Sequence, residues 1–337
     1  MEQEQQTPHK RRVRYKGKYP KKFEEKYKEL QPEKYQDTIE HVIKKGNTPA
    51  GMHISIMVQE ILDTLKIQPG ETGFDATLGY GGHTKAMLAC LNGQGHIYAT
   101  DVDPEESAKT KKRLEELGYG EDILTIRLQN FCTIDEIAKE VGGFDFILAD
   151  LGVSSMQIDN PKRGFSFKVD GPLDLRLNQE AGISAAERLD TITREELAGM
   201  LYENSDEPYC EELAKAITDE IRKGNRIDTT TKLREVIEKT LDFLPEKEKK
   251  DTIKKTCQRT FQALRIDVNR EFEVLYEFME KLPDALKPGG RVAILTFHSG
   301  EDKLVKKALK EGCRAGIYAD YSKDVVRPSA QECAQNG

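Results

Sequence analysis

The sequence has no tryptophan, and no stretch of it approaches the ~18 uninterrupted apolar residues of a membrane-spanning helix. Its longest apolar runs, around 144–151 and 292–297, have the length of buried strands instead. The amino-terminal region lacks the apolar core of a secretory signal peptide. The six cysteines form no CxxC pair and no cysteine–histidine cluster with zinc spacing. We therefore expect a cytoplasmic protein with reduced, structural cysteines and no metal site.

The 337 residues leave room for about two domains and a substantial core. The net charge of −7 hides an asymmetry, because residues 8–22 contain eight lysines or arginines, two tyrosines and no acid. This composition suits phosphate binding, and it equally suits a disordered solubilising tail. We predict that residues 1–47 form a flexible basic extension, and both interpretations of it stay open.

Short β-rich runs alternate with helical segments from about residue 53. Strands are predicted at 72–78, 96–102, 123–129, 144–151 and 291–297, and a helix over 53–66. Asp103 can cap a helix that begins with Pro104, and Thr133 with Glu136 forms a candidate capping box. This alternation predicts an α/β protein with a doubly wound, mostly parallel, Rossmann-like sheet.

The alternation stops between residues 160 and 257. Capped amphipathic helices are predicted there at 193–203, 206–223 and 230–243, without a convincing strand. We therefore predict a helical insertion at 160–257, which interrupts an α/β domain made of 48–159 and 258–337.

A glycine-rich turn follows the first predicted strand and leads into a helix. It lacks the third glycine of a dinucleotide-binding turn, because Thr84 takes that position. Asp101 ends the second strand, about twenty residues further on, where a carboxylate can accept both hydroxyls of an adenosine ribose. NAD and S-adenosylmethionine both carry this ribose, but Asp75, Asp101 and Asp150 make the crevice acidic, which favours a cationic sulfonium over a diphosphate. The alternative is that Asp75 and Asp101 only cap turns, and that His83 only caps its helix.

Asp150 ends the fourth predicted strand and so belongs beside the methyl donor. The segments after it, 163–167 and 170–177, carry hydroxyls, aromatic rings, acids and an arginine that together can hold a flat polar base. For three of these residues, a place in the hydrophobic core under the insertion is a better interpretation than contact with a base: Phe165, Phe167 and Leu173. Three arginines could bind phosphate or form ion pairs between the two domains: Arg163, Arg259 and Arg265.

Taken together, these segments resemble the RsmH (MraW) family of bacterial ribosomal RNA cytosine-N4 methyltransferases. The resemblance runs from about residue 53 to residue 298. Its motifs are His53-x-x-Ile-Met-Val-x-Glu60, the glycine turn, Asp150-Leu-Gly-Val-Ser-Ser, Arg163-Gly-Phe-Ser-Phe, Asp170-Gly-Pro-Leu-Asp, Arg259-Thr-Phe-Gln-Ala-Leu-Arg265 and Phe297-His298-Ser299.

The resemblance implies a class I methyltransferase fold with a helical insertion, and S-adenosylmethionine as donor. It implies as substrate a cytidine in the decoding region of 16S rRNA, free or in the small ribosomal subunit, methylated on its exocyclic amine. The donor-binding residues that it implies are Gly81, Gly82, His83, Asp101, Phe131, Asp150 and Gln157. This chain departs from the family at both ends. Family members begin near the position of His53, and they continue beyond the position of Gly337 into an Asn-Pro-Arg-Ala-Arg-Ser segment and a last strand. We expect either a truncated sequence or a sheet that is completed otherwise.

Asp150 is the candidate catalytic residue, as an acceptor for an N–H of the cytosine amine. The alternative restricts Asp150 to donor binding and leaves the carbonyls of Leu151 or Gly152 as acceptors. Asp174, Arg176 and His298 are candidates for the base pocket. Because a paired cytosine hides its amine, the target should be unpaired or flipped out. Rival functions are N-methylation of another RNA or of DNA, a non-catalytic rRNA-binding assembly factor and, least favoured, a nicotinamide oxidoreductase.

Overall fold

The computed structural model describes residues 55–329 and 332, so the predicted basic extension lies outside the described residues. In the described part, five parallel strands form one sheet in the order β3-β2-β1-β4-β5. The strands are β1 (Thr72–Asp75), β2 (His96–Asp101), β3 (Leu124–Leu128), β4 (Phe144–Asp150) and β5 (Leu286–Leu295). The predicted α/β class and parallel sheet are confirmed.

The strand order reverses beside β1. The chain runs outward from β1 through β2 to β3, and then crosses to the other side of β1 for β4. In open α/β sheets, ligands bind outside the carboxyl ends of the strands at such a switch point. The fold therefore places the candidate cleft where β1, β2 and β4 end.

Helices cover both faces of the sheet and fill the insertion. Those of the α/β part are α1 (Val58–Leu65), α2 (Gly82–Leu91), α3 (Pro104–Glu116), α4 (Ile134–Val141), and, after the insertion, α11 (Glu271–Ala285) and α12 (Ser299–Arg314). Between them come α5 (Ser155–Asp159), α6 (Ala185–Thr191), α7 (Arg194–Ser205), α8 (Cys210–Arg222), α9 (Thr230–Thr240) and α10 (Glu246–Asn269). None of the described helices is both long and apolar enough to cross a membrane.

Strand β4 is apolar along nearly its whole length because both of its faces are covered. Phe146 and Leu148 pack with α1, α2 and α3 on one side, whereas Phe144 and Ile147 pack with α4 and α11 on the other. Each fully buried side chain of this size contributes roughly 1.5–3 kcal/mol relative to exposure. The sheet is thus fixed from both sides, and its carboxyl edge is a rigid support.

Two of the predicted helix starts have different outcomes. Asp103 caps α3 as predicted, accepting hydrogen bonds from the amides of Glu105 and Glu106 at 3.1 and 3.2 Å. The capping box predicted at Thr133 is wrong. The Thr133 hydroxyl donates to the carbonyl of Asn130 and accepts from the side chain of Gln129, because a short 3₁₀ turn precedes α4.

The remaining boundaries shift by a few residues. Helix α1 begins at Val58 rather than His53, because Met57 adopts a left-handed backbone conformation with φ of 57°. Strand β5 begins at Leu286, five residues before its predicted start. All five cysteines of the described residues are free thiols, whereas Cys333 lies outside this part.

The insertion has a hydrophobic cluster of its own. In the described residues 160–257 no strand occurs, as predicted, and only a single β-bridge joins Pro172 to Thr229. Phe165 and Leu173 are buried in this cluster and Phe167 packs against it, which confirms their interpretation as core. Helix α10 crosses the predicted boundary at 257/258 without interruption, and its residues as far as Leu264 join the cluster. The division into domains stays a prediction.

Candidate active site

Three carboxylates end three neighbouring strands at the switch point. Asp75 ends β1, Asp101 ends β2 and Asp150 ends β4. Because β1 lies between the other two strands and all three are parallel, the side chains share one edge of the sheet. The sequence prediction of an acidic crevice at this position agrees with the geometry.

The loop after β1 connects the three strand ends. The amide of Gly79 donates to Asp101 Oδ2 at 2.8 Å, and the amide of Thr77 donates to Asp75 Oδ1 at 3.1 Å. The Thr77 hydroxyl accepts from the amide of Asp150 at 2.7 Å. One short loop therefore connects the end of β2 at Asp101 to the end of β4 at Asp150.

The glycines of this loop have two different functions. Gly79 has φ of +46°, and a β-carbon there would meet nothing closer than a carbonyl at 3.8 Å, so its backbone faces open space. At Gly81 a β-carbon would lie 2.7 Å from Thr110 of α3, and at Gly82 it would lie 2.0 Å from the Ser55 hydroxyl. Gly81 and Gly82 therefore allow close packing against Thr110 and Ser55.

Asp75 lies beneath the cleft rather than in it. Its side chain is fully buried, and Oδ2 accepts from the Thr84 hydroxyl at 2.6 Å. Burial raises the pKa of Asp75, while the hydrogen bonds of Thr84 and Thr77 oppose the rise. The residue anchors the loop to α2.

Asp101 has capacity for further hydrogen bonds. Its two carboxylate oxygens each accept one backbone amide, from Gly79 and from Asp103. Since an ionised carboxylate offers about four acceptor sites, positions remain for a pair of hydroxyls. Burial raises the pKa of Asp101 to about 6, against the hydrogen bonds of the Asp103 and Gly79 amides. The turn-capping alternative and the ligand role are therefore compatible in this side chain.

His83 contacts Asp150 instead of capping its helix. Nε2 lies 2.9 Å from the carbonyl oxygen of Ile56, which only accepts, so Nε2 carries a hydrogen. Nδ1 lies 3.3 Å from Asp150 Oδ2, a contact that is favourable only with a proton between the two atoms. Burial lowers the pKa of His83, but the hydrogen bond and charge of Asp150 outweigh it, so that the pKa is raised. His83 thus engages one oxygen of Asp150.

The second oxygen of Asp150, Oδ1, is buried and has no hydrogen-bond partner among the described residues. A buried carboxylate oxygen without a donor is costly, because it has lost its water without compensation. An N–H donor or a cation in the cleft would satisfy it.

Asp103 forms a junction that the sequence analysis recognised only as a helix cap. Its Oδ2 accepts from Gln157 Nε2 at 2.9 Å and from Arg163 Nη1 at 2.6 Å. Arg163 also donates to the carbonyls of Arg176 and Leu177. The ion-pair alternative for Arg163 therefore applies, because a buried guanidinium with these partners does not reach an external phosphate.

Gln157 and Phe131 follow the carboxyl ends of β4 and β3. Gln157 lies at the start of α5, where it completes a capping box with Ser154 and contacts Asp103. Phe131 follows β3 and packs edge-on against Phe278 of α11, with ring centroids 5.2 Å apart. The donor-binding roles of both remain predictions.

The three predicted base-pocket residues do not form one group. Arg176 is paired with Asp174 through two hydrogen bonds of 2.8 Å, and it also donates to the carbonyl of Gly182. This pair fixes the loop after residue 173, whereas His298 lies beyond β5.

His298 belongs to a cluster with Glu271 and Glu301, whose potential ligand atoms lie within 4.8 Å of one another. Both carboxylates have protein partners. Glu271 accepts two hydrogen bonds from Arg265, at 2.8 and 2.9 Å, and Glu301 accepts the amide of Phe297 at 2.8 Å. The cluster therefore fixes the turn between β5 and α12, and Arg265 is a structural residue rather than a phosphate ligand.

The cleft as a whole suits a cationic ligand that carries a diol. Three carboxylates, an unsatisfied buried oxygen and an open glycine backbone lie along one edge of the sheet. A diphosphate would meet carboxylates where it needs cations. The arrangement can hold a positively charged group near Asp150 and hydroxyls near Asp101.

Residues 50–336 match the MraW methylase family. A protein of Agathobacter rectalis, described as ribosomal RNA small subunit methyltransferase H 1, is 86% identical over 333 residues, which cover 99% of this chain and 95% of that protein. A protein of the same description from Lachnoclostridium phytofermentans is 69% identical, with 98% of this chain and 91% of that protein covered.

Among solved structures, a SAM-dependent O-methyltransferase from Thermotoga maritima is similar to 81% of this chain, which corresponds to 55% of that chain. The identity is 11% and the TM-score 0.35, so this similarity carries no functional argument.

Proposed function

The chain belongs to the MraW methylase family, and on this basis we propose that it methylates the exocyclic N4 amine of a cytidine in the decoding region of small-subunit rRNA. It is a methyltransferase that acts on small-subunit rRNA, in line with relatives that cover nearly its full length. The proposed site is supported by the loop after β1, which donates an amide to the Asp101 carboxylate and accepts the amide of Asp150.

We propose that the cleft holds S-adenosylmethionine, which supplies an activated methyl group when bound. Asp101 would accept the ribose hydroxyls, and Phe131 would lie beside the adenine. The loop that contains Gly81, Gly82 and His83 would border the donor. Gln157 and Asp150 would lie toward the methionine end, where the carboxylate stabilises positive charge.

The acceptor amine needs help from the protein, because its lone pair is delocalised into the cytosine ring. An acceptor for its N–H localises the lone pair and stabilises the positive charge that develops on nitrogen. Asp150 is our proposed acceptor through its unsatisfied oxygen. His83 keeps the other oxygen engaged and so orients the carboxylate. The competing assignment uses the carbonyls of Leu151 or Gly152.

The product identifies the reaction. Purified protein, donor and small subunits that lack this modification should yield N4-methylcytidine after nuclease digestion, detected by mass spectrometry. A product in which another atom of the RNA carries the methyl group would refute the proposed acceptor. Binding of rRNA without any methyl transfer would support the assembly-factor alternative instead.

Substitution of Asp150 separates the two acceptor assignments. If Asp150 accepts the N–H, Asp150→Asn should lower kcat by roughly 10²–10⁴-fold while donor affinity by calorimetry changes much less. If the residue only binds donor, the affinity should fall and kcat at saturating donor should persist. Asp122→Asn is the matched control, because this exposed residue precedes β3 at the opposite edge of the sheet.

A further inference from the structure

A groove opens beside the carboxyl end of β5. Its volume is about 520 Å³. The end of α7, the middle of α10 and the first turns of α12 form its walls, with Phe272 and His298 at its base. It therefore lies where helices of the insertion meet helices of the α/β part, and its lining includes His298 and Arg259, two of the residues that the sequence analysis named as candidates.

Phe297 lies between the groove lining and the end of β4, because it directly precedes His298 of the lining and its ring lies near Gly152. Leu295 of β5 pairs with Asp150 of β4. A β-carbon on Gly152 would lie 3.6 Å from the Phe297 ring, so the absence of a side chain at Gly152 leaves one side of the ring clear. Phe297 thus separates the end of β4 from the groove.

Phe297 combines an exposed ring with a fixed backbone. The residue is 60% exposed, which is unusual for so large an apolar side chain next to a cleft. Its amide donates to the buried carboxylate of Glu301 at 2.8 Å, and the following His298 packs against Phe272 at 5.7 Å. A rigidly held, exposed aromatic ring is a suitable surface for stacking a nucleic-acid base.

Positive charges line the outer wall of the groove. Lys303 and Lys307 project from successive turns of α12 and form no ion pair with any described residue, whereas Lys306 on the same helix pairs with Asp302 at 3.0 Å. Arg259 lines the facing wall from α10; its side chain is 39% exposed, and its nearest carboxylate lies 4.0 Å away.

The same lining contains two carboxylates, Glu203 and Asp206, at the end of α7. Three cations therefore face two acids, with the unpaired lysines on the α12 side. Phosphates that follow the α12 wall would meet cations and avoid the acids of α7.

We propose that this groove binds the single-stranded RNA next to the target nucleotide, with a base stacked on Phe297 and phosphates on Lys303, Lys307 and Arg259. The inference rests on the proposed function, because it assumes that the reacting base lies at Asp150. The combination of ring, cations and proximity to Asp150 favours RNA over a small anion, which would not use the ring.

The lysines are tested by binding, without donor, to a labelled transcript of the small-subunit rRNA. Each phosphate contact of single-stranded RNA contributes a slope of about −0.7 to the dependence of log K on log salt. Lys303→Ala with Lys307→Ala should therefore make the slope less steep by up to about 1.4. Lys306→Ala with Lys310→Ala removes equal charge from the same helix and should leave the slope nearer to that of the unsubstituted protein.

The ring is tested by Phe297→Leu and Phe297→Trp. Loss of stacking in the leucine variant should raise KM for rRNA roughly fivefold or more. The tryptophan variant retains an aromatic ring and should keep the KM of the unsubstituted protein. Donor affinity should be unchanged in both, since the ring lies on the RNA side.

Equal salt slopes for the two double-alanine variants, or an unchanged KM for rRNA in Phe297→Leu, would overturn the inference. Failure of the unsubstituted protein to form N4-methylcytidine would refute the proposed function instead. The binding comparison would still test the groove, because it needs no methyl transfer.

Discussion

Replacement of Arg163 by methionine would leave the carboxylate of Asp103 buried without its cation. The two side chains are 4% and 2% exposed, and Nη1 lies 2.6 Å from Oδ2. The second guanidinium nitrogen donates to the carbonyls of Arg176 and Leu177 at 3.1 and 2.6 Å. The substitution therefore removes a charge pair and three hydrogen bonds while it keeps much of the apolar volume of the side chain.

Removal of one partner of a buried ion pair costs about 3–5 kcal/mol, chiefly because the remaining charge is uncompensated. The Gln157 amide, at 2.9 Å from the same oxygen, offsets part of this cost. The carbonyls of Arg176 and Leu177 lose a donor, which acts in the opposite direction. We expect Arg163→Met to lower the free energy of unfolding by about 3–5 kcal/mol, a large share of the usual 5–15 kcal/mol.

Urea denaturation at neutral pH, followed by circular dichroism, measures this difference. Arg188→Met is the matched control, because Arg188 also pairs with an aspartate of a distant helix at 2.9 Å, but with side chains 28% and 24% exposed. Loss of this more exposed ion pair in Arg188→Met should lower the free energy of unfolding by about 1 kcal/mol or less. Adding Asp103→Asn to Arg163→Met should recover part of the loss, since asparagine still caps α3. Equal costs for Arg163→Met and Arg188→Met would refute the reasoning.

Two further predictions concern the carboxylates of the cleft. Burial raises the pKa of Asp101 to about 6, and a ribose diol binds the ionised form, so donor affinity should fall as pH drops through this value. Calorimetry should show roughly tenfold weaker binding at pH 5 than at pH 7, and a pH dependence that persists in Asp101→Asn would contradict this assignment. Thr84→Val removes the 2.6 Å hydroxyl donor of buried Asp75, and should lower the free energy of unfolding by about 1–3 kcal/mol at neutral pH. Because burial raises the pKa of Asp75, the carboxyl is protonated in acid, and the loss of unfolding free energy caused by Thr84→Val should be smaller there than at neutral pH. An equal loss in urea denaturation at neutral and at acidic pH would contradict this prediction.

The sheet and the acidic cleft could be predicted because their signals are local. Apolar runs of strand length marked the strands, and three of the strands, β1, β2 and β4, end in carboxylates that the parallel topology brings to one edge. Asp103 could be predicted as a cap for the same reason, since a cap depends on the residues that directly follow it. The donor-binding assignments of Phe131 and Gln157 came from the family resemblance and not from any local pattern.

The tertiary partners of these residues could not be predicted. Asp103 meets Arg163 sixty positions further along the chain, and His83 meets Asp150 across the switch point. Hydrophobic periodicity and capping rules do not report which polar side chains approach one another after folding. The failure at Thr133 has a similar cause, because its hydroxyl is taken by the carbonyl of Asn130 in a turn that the pattern did not reveal.

The loop after β2 joins the donor side of the cleft to the insertion. Asp101 faces the cleft, and its carboxylate accepts the amide of Asp103, two residues further on. Asp103 in turn pairs with Arg163, which fixes the segment leading to Leu177. One short loop therefore connects the carboxyl end of β2 to the insertion, through a backbone hydrogen bond to Asp101 and a buried ion pair between Asp103 and Arg163.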